Sequence, residues 1–261
     1  MKLQFKGTRI NGVLPGIRAY CYQLIHEYCS HCKSEGHTIN LSMQTERLAQ
    51  FSKFGKKIIC IARNYLDHAK ELGNTVPSEP VFFLKPTTAY LQPGAGAIKI
   101  PPGCSNLHFE VELGVVIGKQ GSNIPESTAL DFVGGYTLAL DMTARDLQEK
   151  AKKKGHPWSI AKGFDTSCPV GHFIAKAAIE DPGNVHLWLR VNEESQLRQD
   201  GNTSNMIFKI PTIISYISSF MTLEEGDLIL TGTPSGVGPV KSGDVITAGL
   251  AELAEIKVPV E

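Results

Sequence analysis

No apolar run in the 261 residues approaches the length of a transmembrane helix. The start lacks the cluster of positive charge and short apolar core of a secretory signal. An excess of either charge is missing too. The 26 basic residues balance 26 acidic ones, so neither nucleic acid nor a membrane surface is indicated as a partner. Six cysteines (Cys21, Cys29, Cys32, Cys60, Cys104, Cys168) are too scattered for a disulfide framework in a chain this long, which points to a reducing compartment. Cys29-Ser30-His31-Cys32, with His26 and His37 nearby, has no second ligand pair at zinc-site spacing and is read as a coincidental cluster. Internal repeats and low-complexity segments are absent. What is plentiful is glycine and proline, 25 and 15, largely between short apolar runs. That favours a β-rich chain with many turns.

The chain divides by pattern. In residues 1–50, Lys2, Lys6, Arg9 and Arg18 all precede the first acidic residue, Glu27. This segment reads as an extension, either a targeting peptide of mitochondrial type or a poorly ordered start. Mitochondrial and cytosolic locations both remain open. Residues 51–261 carry the globular pattern.

The richest stretch runs from His108 to Gln148. His108-Phe109-Glu110-Val111-Glu112-Leu113 alternates as a half-buried strand does, with Glu110 and Glu112 on one face. Adjacent carboxylates repel, and a cation between them relieves that repulsion. Asp141 ends the next apolar strand, just before a helix whose Thr143 and Asp146 have capping-box spacing. Arg145 and Gln148, three apart, share a face of that helix and place a carboxylate-binding fork and an amide nearby. Three carboxylates with room for water suit Mg²⁺ or Mn²⁺.

Elsewhere, Lys57 to Ala62 reads as a buried strand leading into a helical pattern from Arg63 to Gly73. His68 and Glu71 share a face of that helix, where Glu could raise the basicity of the imidazole; a surface pair is the alternative. Val81 to Lys85 is a strand ended by Pro86, and whether Lys85 faces the site is left open. The basic run Lys150 to Lys154 reads as a solvated helix end stopped by Gly155. His186–Asn192 and Gln196–Asp200 read as a hairpin, and Ile210–Phe220 as an amphipathic helix. The loop Thr231-Gly232-Thr233-Pro234-Ser235-Gly236 lacks nucleotide-loop spacing, but its amides and the Thr233 hydroxyl could meet a ligand carboxylate.

Glu-Val-Glu-Leu-Gly-Val-Val-Ile-Gly from Glu110, Gly-Gly-Tyr from Gly134, Asp-Met-Thr-Ala-Arg-Asp from Asp141 and Leu-Thr-Gly-Thr-Pro-Ser-Gly-Val-Gly-Pro from Leu230 occur in this order. They resemble the fumarylacetoacetate hydrolase superfamily, in its single-domain acylpyruvase and oxaloacetate decarboxylase branch, over about residues 51–261. The resemblance implies an α+β fold, a mixed β-sandwich roll of the fumarylacetoacetate hydrolase type, and a homodimer. It implies Glu110, Glu112 and Asp141 as metal ligands, His68 and Glu71 as a lid-helix base, and Lys162 as the active-site lysine. Substrate contacts are expected from Arg63, Arg145, Gln148 and Thr233.

The chemistry expected is cleavage of small 2-oxo acids to pyruvate with Mg²⁺ or Mn²⁺. The acid's carboxylate and ketone together chelate the ion, which stabilises an enolate. Loss of an acyl group (acylpyruvate hydrolysis) or of carbon dioxide (oxaloacetate decarboxylation) gives the same pyruvate enolate. An oxaloacetate tautomerase, another superfamily hydratase or isomerase, and a non-catalytic metal-dependent binding protein are the rival readings.

Overall fold

The computed structural model describes residues 43–65 and 77–261 of the chain. Apart from residues 43–45 they lie in one compact unit, Glu46–Glu261. A six-stranded sheet forms its centre, in the order β2 (Val81–Lys85), β1 (Ile58–Ala62), β12 (Leu228–Leu230), β5 (Val111–Ile117), β6 (Val133–Leu140), β9 (Ile174–Ala175). Only β1 and β12 run parallel; the other neighbours are antiparallel, so the sheet is mixed. A second, antiparallel sheet has the order β11 (Gln199–Asn202), β10 (His186–Val191), β14 (Val245–Leu250), β15 (Ala254–Pro259). Two small ladders complete the strands described. They are β13 (Gly238–Val240), β4 (Leu107–Phe109) and β7 (Thr143–Ala144), and β3 (Tyr90–Leu91) with β8 (Cys168–Pro169). The α+β class follows.

Helices are few and short among the described residues: besides the helical residues 43–48 they are α1 (Phe51–Phe54), α2 (Arg145–Lys154), α3 (Ser159–Lys162) and α4 (Ile210–Phe220). In α4, Pro211 sits in the first turn and Ile210, Ile213, Ile214 and Ile217 are buried. Their i, i+3, i+4, i+7 spacing makes the apolar stripe that glues the helix down. Gly155 closes α2 in the left-handed conformation, at φ 65°, with its amide bonded back to the last turn.

The core explains why β5 is not the half-exposed strand its alternation suggests. Val111, Leu113, Val115 and Ile117 enter a large cluster with Leu138, Leu189, Ile213 and Ile246. On the other face Val116 packs with Ile58, Cys60, Leu228 and Leu230. Both faces are covered, so any polar side chain on β5 is drawn inside with them. Glu112 is 1% exposed.

Three local expectations are corrected. Glu110 is not in a strand but in the break between β4 and β5, where β4 departs to pair with β7 and β13. The hairpin's second strand begins at Gln199 rather than Gln196. Asn192 turns the chain at φ 56°, and residues 193–198 form a loop in which Arg198 holds Glu194 at 2.7 Å. The helical pattern does not start at Arg63, which has φ 58°, and Tyr65 pairs with Met206 in a β-bridge. The rest of that pattern, through Gly73, lies outside the described residues.

Two of the glycines in the sequence motifs have a packing reason. The register of β5 and β6 shifts between Val116 and Ile117, and Gly118 then passes against Gly134. A Cβ on Gly118 would lie 2.7 Å from the Gly134 Cα, which is main chain and cannot swing away. Gly118→Ala should therefore lower stability by about 1–3 kcal/mol, the usual range for overpacking. A urea denaturation midpoint equal to that of the unsubstituted chain would refute this packing constraint.

Candidate active site

The β5–β6 pair carries the site. Val111 pairs with Leu140, so Glu110 and Asp141 flank the end of the ladder, and the Asp141 amide donates to the Glu110 carbonyl at 2.8 Å. Glu112 lies one pair further in, opposite Ala139. Carboxylate oxygens of Glu110, Glu112 and Asp141 all lie within 4.8 Å of one another, and all three residues are buried. Burial, then the charges of Asp141 and Glu110, push the Glu112 pKa well above the ordinary carboxylate range.

Opposing charge comes from three sides. Lys162, in α3, places Nζ 2.7 Å from Asp141 Oδ2, 3.0 Å from Glu110 Oε2 and 2.6 Å from the Thr143 hydroxyl. Burial disfavours its charge, but Asp141 and Glu110 outweigh that and raise the lysine pKa, so Lys162 is an ammonium. Arg145, at the start of α2, donates to Glu110 Oε1 at 2.5 Å and to Gln148 Oε1 at 2.8 Å. Lys85, at the end of β2, is 1% exposed and stands 2.8 Å from Asp141 Oδ1. It donates to the Met142 and Lys162 carbonyls and to Ser167 Oγ. The sequence left the direction of Lys85 open; the structure turns it into the site.

The glycine-rich loop after β12 serves the same carboxylates. Gly232 donates its amide to Glu112 Oε2 at 2.6 Å. Thr233 lines the cleft, while its hydroxyl donates to the Val111 carbonyl at 2.9 Å and accepts from Gln199 Nε2 at 2.8 Å. Gln199 also accepts from the Val111 amide and donates to the Pro234 carbonyl, so one buried amide side chain staples the loop to β5. Asn64 does likewise on the other side, donating to the Thr231 and Phe208 carbonyls. Neither residue is distinctive in sequence, because a buried amide becomes recognisable only through partners far along the chain.

The capping box is not formed. Thr143 lies in β7, the α2 N-cap is Ala144, and Asp146 accepts instead from the Ser105 amide and hydroxyl. Thr143 is taken up by the site, its hydroxyl 3.1 Å from Glu110 Oε1 and accepting from Lys162. The cleft over the carboxylates brings together Arg63, Arg145, Gln148, Lys162 and Thr233. It also includes Phe83, Trp158 and Lys152, which the sequence reading left out. Phe83 and Trp158 meet edge to face at 5.7 Å, and Lys162 lies 4.9 Å from the centre of the Phe83 ring. His68 and Glu71 lie outside the described residues.

Residues 57–261 match the model of the fumarylacetoacetate (FAA) hydrolase C-terminal family. The chain belongs to the fumarylacetoacetate hydrolase family. It is 57% identical over 217 residues to the mitochondrial oxaloacetate tautomerase FAHD1 of Mus musculus, covering 83% of this chain and 97% of that protein. To the mitochondrial oxaloacetate decarboxylase of Dictyostelium discoideum it is 58% identical over 204 residues, 78% of this chain and 93% of the relative. Among solved structures, fumarylpyruvate hydrolase from Pseudomonas aeruginosa in complex with Mn²⁺ and pyruvate is similar. Its TM-score is 0.74 at 37% identity, with 78% of this chain and 89% of that one covered.

The donor set of this family member fits a hard divalent cation. Three buried carboxylates converge, and Asp141 Oδ1, though near Lys85, accepts no hydrogen bond. Oxygen-only ligands of this kind suit Mg²⁺ or Mn²⁺. Because the Glu112 pKa is raised, an ion binding there competes with a proton. In the metal-free protein, ionising Glu112 as pH rises above its ordinary value costs stability, and metal offsets that cost. Mn²⁺ affinity measured by calorimetry should therefore strengthen with rising pH, and proton release should show as a dependence on buffer ionisation heat. Asp141→Asn should weaken Mn²⁺ binding by at least about tenfold, one step of roughly 1.4 kcal/mol. An unchanged, pH-independent affinity would remove these residues from metal binding.

Proposed function

We propose that the chain is a divalent-metal-dependent enzyme of oxaloacetate, interconverting its keto and enol forms. What carries the reading is the buried triad, faced by Lys85, Lys162 and Arg145, in a chain 57% identical to an oxaloacetate tautomerase. With Glu112 ionised, as it would be on binding metal, three carboxylates and three cations cancel in formal charge. A divalent ion with a dicarboxylate substrate adds two charges of each sign, so the loaded site also balances, whereas a neutral ligand would leave it positive.

When bound by Glu110, Glu112 and Asp141, Mg²⁺ or Mn²⁺ would supply Lewis-acid stabilisation of charge at the ketone oxygen. Arg145, held against Glu110 and Gln148, orients the 2-oxo acid end together with Arg63 and the Thr233 loop. Lys162, the buried ammonium bonded to Asp141 and Glu110, is the proposed donor of a proton to the C2 oxygen as the enol forms and its acceptor on return. His68 is the proposed base at C3, with Glu71, three residues on in the sequence, its proposed partner. Phe83 and Trp158 wall the cleft and limit water.

Cleavage is the second reading, favoured by the similarity to the Dictyostelium decarboxylase and the Pseudomonas hydrolase. It breaks the C3–C4 bond instead of only moving a proton. A homodimer and a mitochondrial location complete the proposal; the close relatives are named as mitochondrial. The extension over residues 1–50 is proposed to be dispensable for catalysis up to Leu48, which is 2% exposed and packs in the core.

The Mn²⁺-loaded chain should speed relaxation of the enol absorbance of oxaloacetate with little pyruvate seen by NMR. Lys162→Met should slow that relaxation by roughly 10²–10⁴, the usual worth of a proton-transferring side chain. Pyruvate accumulating as fast as the enol signal relaxes would replace tautomerisation by cleavage. In that event His68→Ala should cut acylpyruvate hydrolysis by about 10²–10⁴, since hydrolysis needs an activated water, and should cut decarboxylation less. Equal losses would leave His68 without a base's role.

A further inference from the structure

The basic run at the end of α2 is not merely a solvated face. Lys152 lies three and four residues beyond Glu149 and Gln148, and seven beyond Arg145, so Arg145, Gln148 and Lys152 form one stripe along the helix. All three line the cleft. Arg145 is at the deep end on Glu110, and Lys152 is about 10 Å further along the axis at 1.5 Å per residue. Helical side chains lean toward the N-terminus, which tips Lys152 back over the cleft.

Its position is held. Glu149 accepts from Nζ at 2.7 Å, and the ammonium lies 5.7 Å from the Trp158 ring centre. Trp158 touches Phe83, and Phe83 in turn faces the ammonium of Lys162. One aromatic wall thus has an ammonium at each end, one buried on the carboxylate triad and one at the mouth, where the Lys152 side chain is 31% exposed.

We infer that Lys152 receives the distal carboxylate of the substrate and makes the cleft selective for 2-oxo dicarboxylates over 2-oxo monocarboxylates. This rests on the proposed oxaloacetate reading and adds the rim contact to it. The 2-oxo acid end occupies the triad end, and the chain runs along the Phe83–Trp158 wall. The far carboxylate is only three bonds from the first, so the Lys152 stem reaches back along the helix to meet it, and its ammonium has donors beyond the one given to Glu149. Glu149 keeps an empty cleft from presenting an unpaired charge, and substrate adds a second acceptor.

The test compares Lys152→Met, which keeps an apolar stem against Trp158, with Lys152→Arg. In the Mn²⁺-loaded protein, Lys152→Met should raise the KM for oxaloacetate roughly tenfold, the size of one lost charge-assisted contact, with kcat within about twofold. The calorimetric affinity for pyruvate, which has no distal carboxylate, should not change, and Lys152→Arg should restore most of the oxaloacetate KM. Equal weakening of pyruvate and oxaloacetate would show a general electrostatic effect and overturn the inference. So would an unchanged oxaloacetate KM, or a KM that rises only in Arg63→Met, which removes another cation lining the cleft. Absence of oxaloacetate turnover in the unsubstituted chain would instead defeat the functional reading, so the two failures are distinguishable.

Discussion

Everything about the site turns on keeping three carboxylates out of water within a few ångströms of one another. Left alone, such a cluster would protonate or force the hairpin apart. The chain answers with ammonium groups that are themselves buried, so each charge is tolerable only because the other is present. Lys162 bridges Glu110 and Asp141, and Lys85 backs Asp141 from beneath. Removing one partner of a buried pair generally costs about 3–5 kcal/mol, because the survivor is stranded. The arrangement is thus costly to assemble and hard to alter one residue at a time.

Much of this was legible in the sequence where chemistry and spacing coincide. Glu110, Glu112 and Asp141 stood out because carboxylates interrupt apolar runs there, and the structure gathers them. Arg145 and Gln148 followed from helical spacing. What was not legible depended on tertiary cover. β5 alternates like a surface strand, yet a second sheet and a second apolar cluster bury both its faces. Lys85 and Lys152 look like ordinary lysines until packing turns one inward and one over the cleft. Thr143 fitted a helix cap, but a stronger claim on its hydroxyl came from Lys162 and Glu110.

Relatives of this chain bear the names tautomerase, decarboxylase and hydrolase, and the geometry suggests how one scaffold accommodates them. In the proposed reading the deep end, with its triad and three cations, serves any reaction that places negative charge on a 2-oxo acid, and the mouth decides what the rest of the substrate can be. Of the described residues there, Phe83, Trp158 and Lys152 come from β2, the N-cap of α3 and α2, and none of them belongs to the carboxylate triad.

The staples around the cleft also bear on how the protein reaches its native state. Asn64 bonds to a carbonyl 167 residues away, Gln199 reaches across 88, and β1 pairs in parallel with β12 near the far end of the chain. Contacts of such long sequence separation make folding slow, because loop-closure entropy must be met before they form. The Gly232 loop cannot settle on Glu112 until those closures are made. The catalytic cleft is therefore among the last parts of the molecule to form, and an ion that binds it would act late, by slowing unfolding rather than by seeding the fold.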